Sequence, residues 1–458
     1  MRRSTIWPAA LTALAWTALT ATQAAAASII PAPVGTSLVI YNGTQEAVDA
    51  MVSGDLVAYV TSSDGSSARV RYHNISTGLD NLVPNGTPGS GDYLPDVDGS
   101  RIVFTRNSST GAHIMLYDVS NPAPGPIALA PHPMETLKSA TIGGGTVAWE
   151  DWTTPSGYSI VVAYDLASGV ATALTTDSGL PNVAPAVAPD GSVIVWLKCA
   201  TDLTRCNVWR AVRSGSSWTT APLTTDSLVG SHDGFPVVDT NGSLVVYSKG
   251  SATSDIYAQP VAGGPEQNLT GGLGGLSHNP AISGNIISFE LSVPVAGDPY
   301  GSTNVWNYDL ANGAAYQLSS SGRAGPSPTD VSVTRDGTVN VVWTNFGLLS
   351  TVEGYQYHLD APLAMTHFAA GTAGLDAAAG ATFTDADPQG QLSQYSASID
   401  WGDGVRSSGR AVANPLGGFA AGGVHRYAAA GAYTIMITIF DSAGAQTSAS
   451  KTVYAVGR

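Results

Sequence analysis

Cysteine occurs twice in 458 residues and lysine four times, and beyond the first two dozen positions no apolar run is long enough to cross a bilayer. Each shortage excludes something. Two cysteines cannot build a disulfide-stapled scaffold, and no Cys/His set has the spacing of a zinc site. Every later apolar run stops within a few residues at Gly, Asp, Asn or Ser, so no transmembrane span is expected. The periodicity of amphipathic helices is missing throughout, and short alternating runs broken by turn residues take its place. Catalytic signatures are missing too: there is no Gly-x-Ser-x-Gly, no His-Glu-x-x-His and no phosphate-binding glycine loop. With 19 basic against 34 acidic side chains the net charge is −15, and such a surface repels phosphate backbones. Nucleic acid is therefore not an expected partner.

What is present begins with an export signal. Arg2 and Arg3 give a short positive region, Ile6 to Ala21 an apolar one, and Ala24 to Ala27 the small residues that a signal peptidase reads. Residues 1–27 are expected to be a cleaved leader, with the mature chain secreted to the extracellular space or the periplasm. A retained anchor is the alternative, opposed by Pro8 and by the shortness of the run. Cleavage removes two arginines and no acid, moving the net charge from −15 to −17. In an oxidising compartment Cys199 and Cys206, flanking a polar stretch between two strand-like runs, are expected to form a disulfide. A metal pair is the alternative, and no further Cys or His stands in register to complete it.

The remainder is a repeat. A small residue or Pro, an apolar residue, a Gly beside Asp, Asn or Ser, an apolar triplet and an aromatic recur seven times. The copies run Ala50–Tyr59, Pro95–Phe104, Ala140–Trp149, Pro185–Trp196, Pro236–Tyr247, Pro280–Phe289 and Asp330–Trp343. The aromatic follows the glycine by five residues in six copies and by six in the last. Each copy reads as a tight hairpin whose Gly takes the positive φ of the turn. A third strand then ends at Tyr72, Tyr117, Tyr164, Trp209, Tyr257, Tyr308 or Tyr357, and a fourth follows in most copies. The last copy runs out after its third strand near Leu359. Ser37–Tyr41 is placed to supply the missing fourth strand and remove the exposed edges.

These units resemble the TolB-type propeller repeat, and Pro185-Ala-Val-Ala-Pro-Asp-Gly191 carries the likeness best. The resemblance covers residues 37–359 and implies a seven-bladed β-propeller, with no activity attached to the blade-building residues. After the linker 360–362 the texture changes. Trp401-Gly-Asp-Gly404, His425-Arg-Tyr427, Gly431-Ala-Tyr-Thr434 and Asp441-Ser-Ala-Gly444 resemble a domain of the polycystic kidney disease (PKD) type over 363–455. That likeness implies an immunoglobulin-like β-sandwich acting as a spacer, a contact module or a display unit. The fold class expected is thus all-β, a seven-bladed propeller followed by a C-terminal sandwich.

Candidate site residues are sparse. Loops from the outermost strand of one blade to the innermost of the next ring one channel mouth. Two of them carry His232 with Asp233 and His278 with Asn279; Asp92, Tyr93, Asn182 and Asp330 stand at similar points. Convergent His, Asp and Asn suit a sugar or a metal, while turn and cap roles suit each residue singly. Glu150 and Glu290 follow the second-strand aromatic and read as solvent-facing strand ends or as acids. Asp385 and Asp387 read as a polar edge turn or as calcium ligands; no other cofactor or metal is expected. The catalytic residues are unknown. An extracellular, monomeric ligand-binding protein for a carbohydrate or another protein is one expectation. A secreted polysaccharide lyase or glycoside hydrolase is the other, and would need an Arg and a Tyr, with Arg210, Arg323 and Tyr93 as candidates, converging on His232 and His278.

Overall fold

The structure is a computed structural model. It describes residues 27–457 except 64–66, 85–88, 130–135, 228, 230–236, 251–253, 296–297, 326, 360–362, 386–391, 393–394, 416 and 442–444. Residues 1–26 of the leader, the linker, His232, Asp233 and Asp387 lie outside the described residues. Among the described residues the regular elements are strands, and no helix is long and apolar enough to cross a membrane.

The repeat becomes a series of antiparallel sheets built on four strands each, ordered as the chain runs in the first six and completed by an N-terminal strand in the seventh. Their inner strands are Glu46–Ser53, Gly91–Asp98, Leu137–Gly143, Asn182–Val187, Val238–Thr240, Leu276–Ser283 and Asp330–Val333, belonging to the first through seventh sheets. The second strands, such as Leu56–Ser62 and Thr146–Asp151, are buried almost without interruption. That is why they are apolar triplets and not alternating runs: both faces of each sheet pack against a neighbour. The fourth strands lie at the rim, and Val170–Ala173 is exposed along its whole length.

Consecutive sheets are tied near their inner strands. Gly99 N–H donates to Ser53 Oγ, Ile142 N–H to Asp96 Oδ2 and Ala184 N–H to Glu150 Oε1. Sheets four and five share one core containing Val183, Val195, Val238 and Val245. Ile282 N–H reaches Asp239 Oδ2 and Val333 N–H reaches Ser283 Oγ. Val52 N–H of the first sheet then donates to Asp330 Oδ2 of the seventh, so the series returns on itself as a ring.

The small residue or Pro that opens each repeat has a structural cause. In five inner strands the residue before it is left-handed: Asp49, Leu94, Ser139, Ala184 and Asn279, with φ between 50° and 56°. The ladder to the second strand slips at each of these points, as a β-bulge does. Ala50, Pro95, Ala140, Pro185 and Pro280 follow the kink, where a compact or φ-restricted side chain fits.

The N-terminal segment closes the ring from outside. Gly35–Tyr41 is the outer strand of the seventh sheet, antiparallel to Thr351–His358. Two residues further out, Tyr355 Oη donates to Pro33 O at 3.0 Å. Ser28–Ile29 adds a fifth, parallel strand to the sixth sheet beside Ala314 and Ala315, a pairing that periodicity did not announce. Cys199 and Cys206 are directly opposed across the second and third strands of sheet four and are joined by a disulfide.

Among the described residues of 363–455 the strands link into one seven-stranded sheet around a single core. Arg406–Ala413 pairs on one side with Tyr395–Asp400 and on the other with Phe419–Arg426, which joins the expected layers. Its end strands meet, with Thr372 Oγ1 donating to Tyr454 O and Val456 N–H to Gly374 O. Trp401, Phe383, Ile399, Ile435, Ile437 and Tyr427 fill the interior.

Candidate functional site

His278 and Asn279 stand within the inner strand Leu276–Ser283 of the sixth sheet, not on the loop where they were expected. Alternating residues around a bulge look like a loop in sequence; here Asn279 supplies the left-handed residue, which Asn tolerates better than most. Both side chains are buried, at 5% and 2% exposure. Across the ladder His278 faces Glu290, which is fully buried. His278 Nδ1 lies 3.3 Å from Glu290 Oε2, Nε2 lies 2.8 Å from Ser292 Oγ, and Ser292 Oγ lies 2.7 Å from Thr303 Oγ1. Asn279 Nδ2 donates to Glu290 Oε2 at 3.2 Å. A polar chain therefore runs from the buried Glu290 outward to the half-exposed Ser292. The direction of the Nε2–Ser292 bond follows the tautomer: a proton on Nδ1 leaves Nε2 to accept from the Ser292 hydroxyl, and a proton on Nε2 is donated to it.

Glu290 and Glu150 are not solvent-facing strand ends. Glu150 Oε1 accepts the Ala184 N–H and Oε2 the Trp152 indole N–H, each at 2.8 Å. Burial raises its pKa above the usual carboxylate range, against those hydrogen bonds. In the second sheet that position is Thr105, and the next residue, Arg106, is bonded through Nε and a terminal nitrogen to both oxygens of the buried Asp92. A charged group after the second-strand aromatic thus braces the inner strands. Asn182 is likewise spent internally, accepting from Trp196 Nε1 and donating to the Ser159 and Leu180 carbonyls. Of the basic and aromatic candidates, Arg210 and Tyr93 belong to other sheets. Arg323 alone comes near, its backbone bridging to Thr303 and its side chain exposed.

Ser292 marks one face of the ring. The hairpin of Ile286–Val295 and Asp298–Asp309 has the longest second and third strands of the seven sheets, and it exposes Val293 and Val295. In the adjoining seventh sheet the equivalent turn, between Thr338–Asn345 and Thr351–His358, exposes Phe346, Leu348 and Leu349, with Leu348 fully in solvent. Phe346 N–H donates to Arg323 O, so these turns are joined. Monomeric soluble surfaces seldom gather apolar side chains in this way without a purpose.

A second polar set was only partly visible in sequence. Asp96, Asp239 and Asp330 occupy equivalent places on the inner strands of sheets two, five and seven. Each Oδ1 accepts the N–H of the next residue, Val97, Thr240 or Val331, and each Oδ2 accepts the N–H of Ile142, Ile282 or Val52 in the following sheet. Burial is the main cause that pushes all three up to about 7, and each is raised further by another of the three. Asp330, read as a mouth residue, is thus an inter-sheet tie. The signal available was an Asp immediately before the buried position of three repeats.

Among the described residues no three His, Cys, Asp or Glu side chains are grouped to hold a metal ion. Asp385 accepts the Tyr395 hydroxyl at 2.6 Å.

No protein-family model and no curated protein matches the sequence. Solved structures do. The β-propeller domain of the trilobed protease from Pyrococcus furiosus, described as having an open velcro topology, matches with a TM-score of 0.50 at 12% identity, over 69% of this chain and 96% of that one. A puromycin-hydrolyzing peptidase from Mycobacterium tuberculosis gives 0.50 at 13% identity over 80% of this chain. TolB from Acinetobacter baumannii gives 0.39 at 14%, over 67% and 78% of the two chains. The chain spans only 55% to 63% of the length of two prolyl and puromycin-hydrolyzing peptidases that it matches. At such identities the likeness is one of fold, and what it establishes is an all-β chain with a propeller-like architecture.

Proposed function

We propose that this chain is an exported ligand-binding protein, a seven-bladed propeller with a PKD-type sandwich as spacer or second contact. Its ligand is an extracellular protein or carbohydrate. The single observation that carries this reading is the apolar rim of Val293, Val295, Phe346, Leu348 and Leu349 around Ser292 and Arg323. It lies on the face where the sixth-sheet inner strand begins, above His278. Aromatic and aliphatic side chains beside a few fixed polar groups are what a binding surface needs. The acidic chain and the lack of a catalytic signature favour binding over chemistry. The test is a binding screen of the full chain against purified polysaccharides and extracellular proteins. The Val293→Asp/Leu348→Asp variant should lose a captured ligand while keeping the wild-type melting temperature. Unchanged capture by that variant removes the rim from the reading.

The order Glu290–His278–Ser292 supports a second reading, acyl transfer with Ser292 as nucleophile, because it is the connectivity of an acid–imidazole–hydroxyl array. A serine-directed fluorophosphonate decides it. Labelling at Ser292 that disappears in His278→Ala supports the enzyme; absence of labelling in the wild type rejects it.

A further inference from the structure

We propose that Asp96, Asp239 and Asp330 make closure of the ring proton-dependent: the ring is tightest when these three carboxyl groups are protonated and loosens as they ionise. The geometry comes first. Each side chain sits on an inner strand, in the gap between its own sheet and the next, and bonds to a backbone N–H on each side. All three are therefore structural ties between the inner strands of one ring. Each keeps a partial opening to solvent there, although the inner strands enclose it.

The charges around them do not compensate. Among the described residues none of the three is ion-paired to a basic group. On the same strand as Asp96, Asp98 is engaged by Arg101 and raises Asp96 further. On the first inner strand Asp49 is itself raised by burial and accepts the Ser327 hydroxyl. Lys138, on the third, lies over the Trp152 ring, and Arg106 of sheet two is committed to Asp92. The fourth inner strand brings no charged residue, and the sixth brings only His278, held by Glu290 and Ser292. Ionisation thus places a negative charge in each of three inter-sheet gaps of one ring, with no counterion among the described residues.

The sign follows from linkage. An unfolded Asp titrates near 3.9, whereas these three titrate at about 7 in the folded chain. Between those values the folded state holds more protons than the unfolded one, so stability falls as pH rises through the window and levels off above it. Below about pH 4 the carboxylates held low by partners, such as Asp165 at about 2 beside Arg213, reverse the trend. Stability is therefore expected to peak near pH 5, and near-neutral surroundings loosen the ties that hold the sheets together.

The experiment is thermal unfolding of the full chain at constant ionic strength between pH 5 and pH 8. The wild-type Tm is expected to fall by on the order of 5 °C or more. In Asp96→Asn/Asp239→Asn/Asp330→Asn most of that fall should vanish. A charge-matched control, Asp177→Asn/Asp202→Asn/Asp376→Asn, should keep it, which separates the ties from general acidic repulsion. Should the triple variant not fold, amide exchange of Val52, Ile142 and Ile282 in the wild type, corrected for intrinsic rates, reads the same ties. Protection at these three amides should drop across the window while buried second-strand amides stay protected. A flat wild-type Tm, a fall retained in full by the tie variant, or unchanged protection overturns the proposal.

Discussion

Asp330 Oδ2 accepts the backbone N–H of Val52 at 2.7 Å, joining the last sheet of the ring to the first across 278 residues of sequence. Two further bonds flank it: Gly54 N–H donates to Ser332 Oγ at 2.9 Å, and Asn340 Nδ2 to Gly54 O at 3.0 Å. Ala47 N–H adds a backbone bond to Ser350 O at 3.0 Å, and the outer closure is made by the Gly35–Tyr41 strand. Loop closure over so long a chain carries a large entropy cost. An inner and an outer seam share it.

Deletion of residues 28–41 should therefore lower the melting temperature markedly, because the seventh sheet loses its outer strand and the sixth its parallel addition. Deletion of 28–33 alone, which spares Gly35–Tyr41, should cost much less. Equal Tm values for the longer deletion and the wild type would contradict the outer seam.

Replacing both Cys199 and Cys206 by Ala should destabilise sheet four modestly, by on the order of 2–3 kcal/mol at most, since the bridge closes a short loop. Urea unfolding of the variant and of the reduced wild type should agree. Two alkylatable thiols in unreduced protein would refute the bridge.

Gly325 tests how tightly Glu290 is housed. It has φ of 92°, and a Cβ there would stand 2.7 Å from Glu290 Oε2. Gly274 has φ of 73° with open space around it. Gly325→Ala should cost on the order of 1–3 kcal/mol more than Gly274→Ala, whose penalty is backbone strain alone. Similar urea midpoints for the two variants would mean that the Glu290 carboxylate can move aside.

The repeat was legible because its marks are local. A turn glycine, an apolar triplet and an aromatic at fixed spacing report one hairpin each, and Ser37–Tyr41 stood out as a strand without a hairpin partner. Roles that depend on the neighbouring sheet were not legible. Nothing in the sequence around Glu150 announces that its oxygens receive Ala184 N–H from another repeat. His278 looked exposed because the bulge at Asn279 interrupts alternation, and the bulge is visible only through backbone dihedrals. The parallel pairing of Ser28–Ile29 has no pattern of its own, since two residues carry no period. The continuous C-terminal sheet arises because Arg406–Ala413 pairs on both edges, a choice that strand propensity does not encode.

The final prediction concerns the C-terminal sheet as a cooperative unit. Trp401 is fully buried there, its indole N–H donating to Ser407 Oγ at 2.9 Å and its carbonyl accepting the Tyr427 hydroxyl at 2.9 Å. His425 stacks on the indole with ring centroids 5.2 Å apart, and its Nε2 lies 2.7 Å from Asp403 Oδ2, fixing the turn that Trp401 enters. Truncation removes the largest side chain of this core and leaves the Ser407 hydroxyl without its indole donor. Trp401→Ala should therefore cost on the order of 3–5 kcal/mol in this unit. The core that Trp401 occupies draws every member from residues 363–455, so the ring should not feel the change. Calorimetry of the variant should show one transition shifted down or lost and the other at its wild-type temperature. A single transition that moves as a whole would mean that the two parts unfold together.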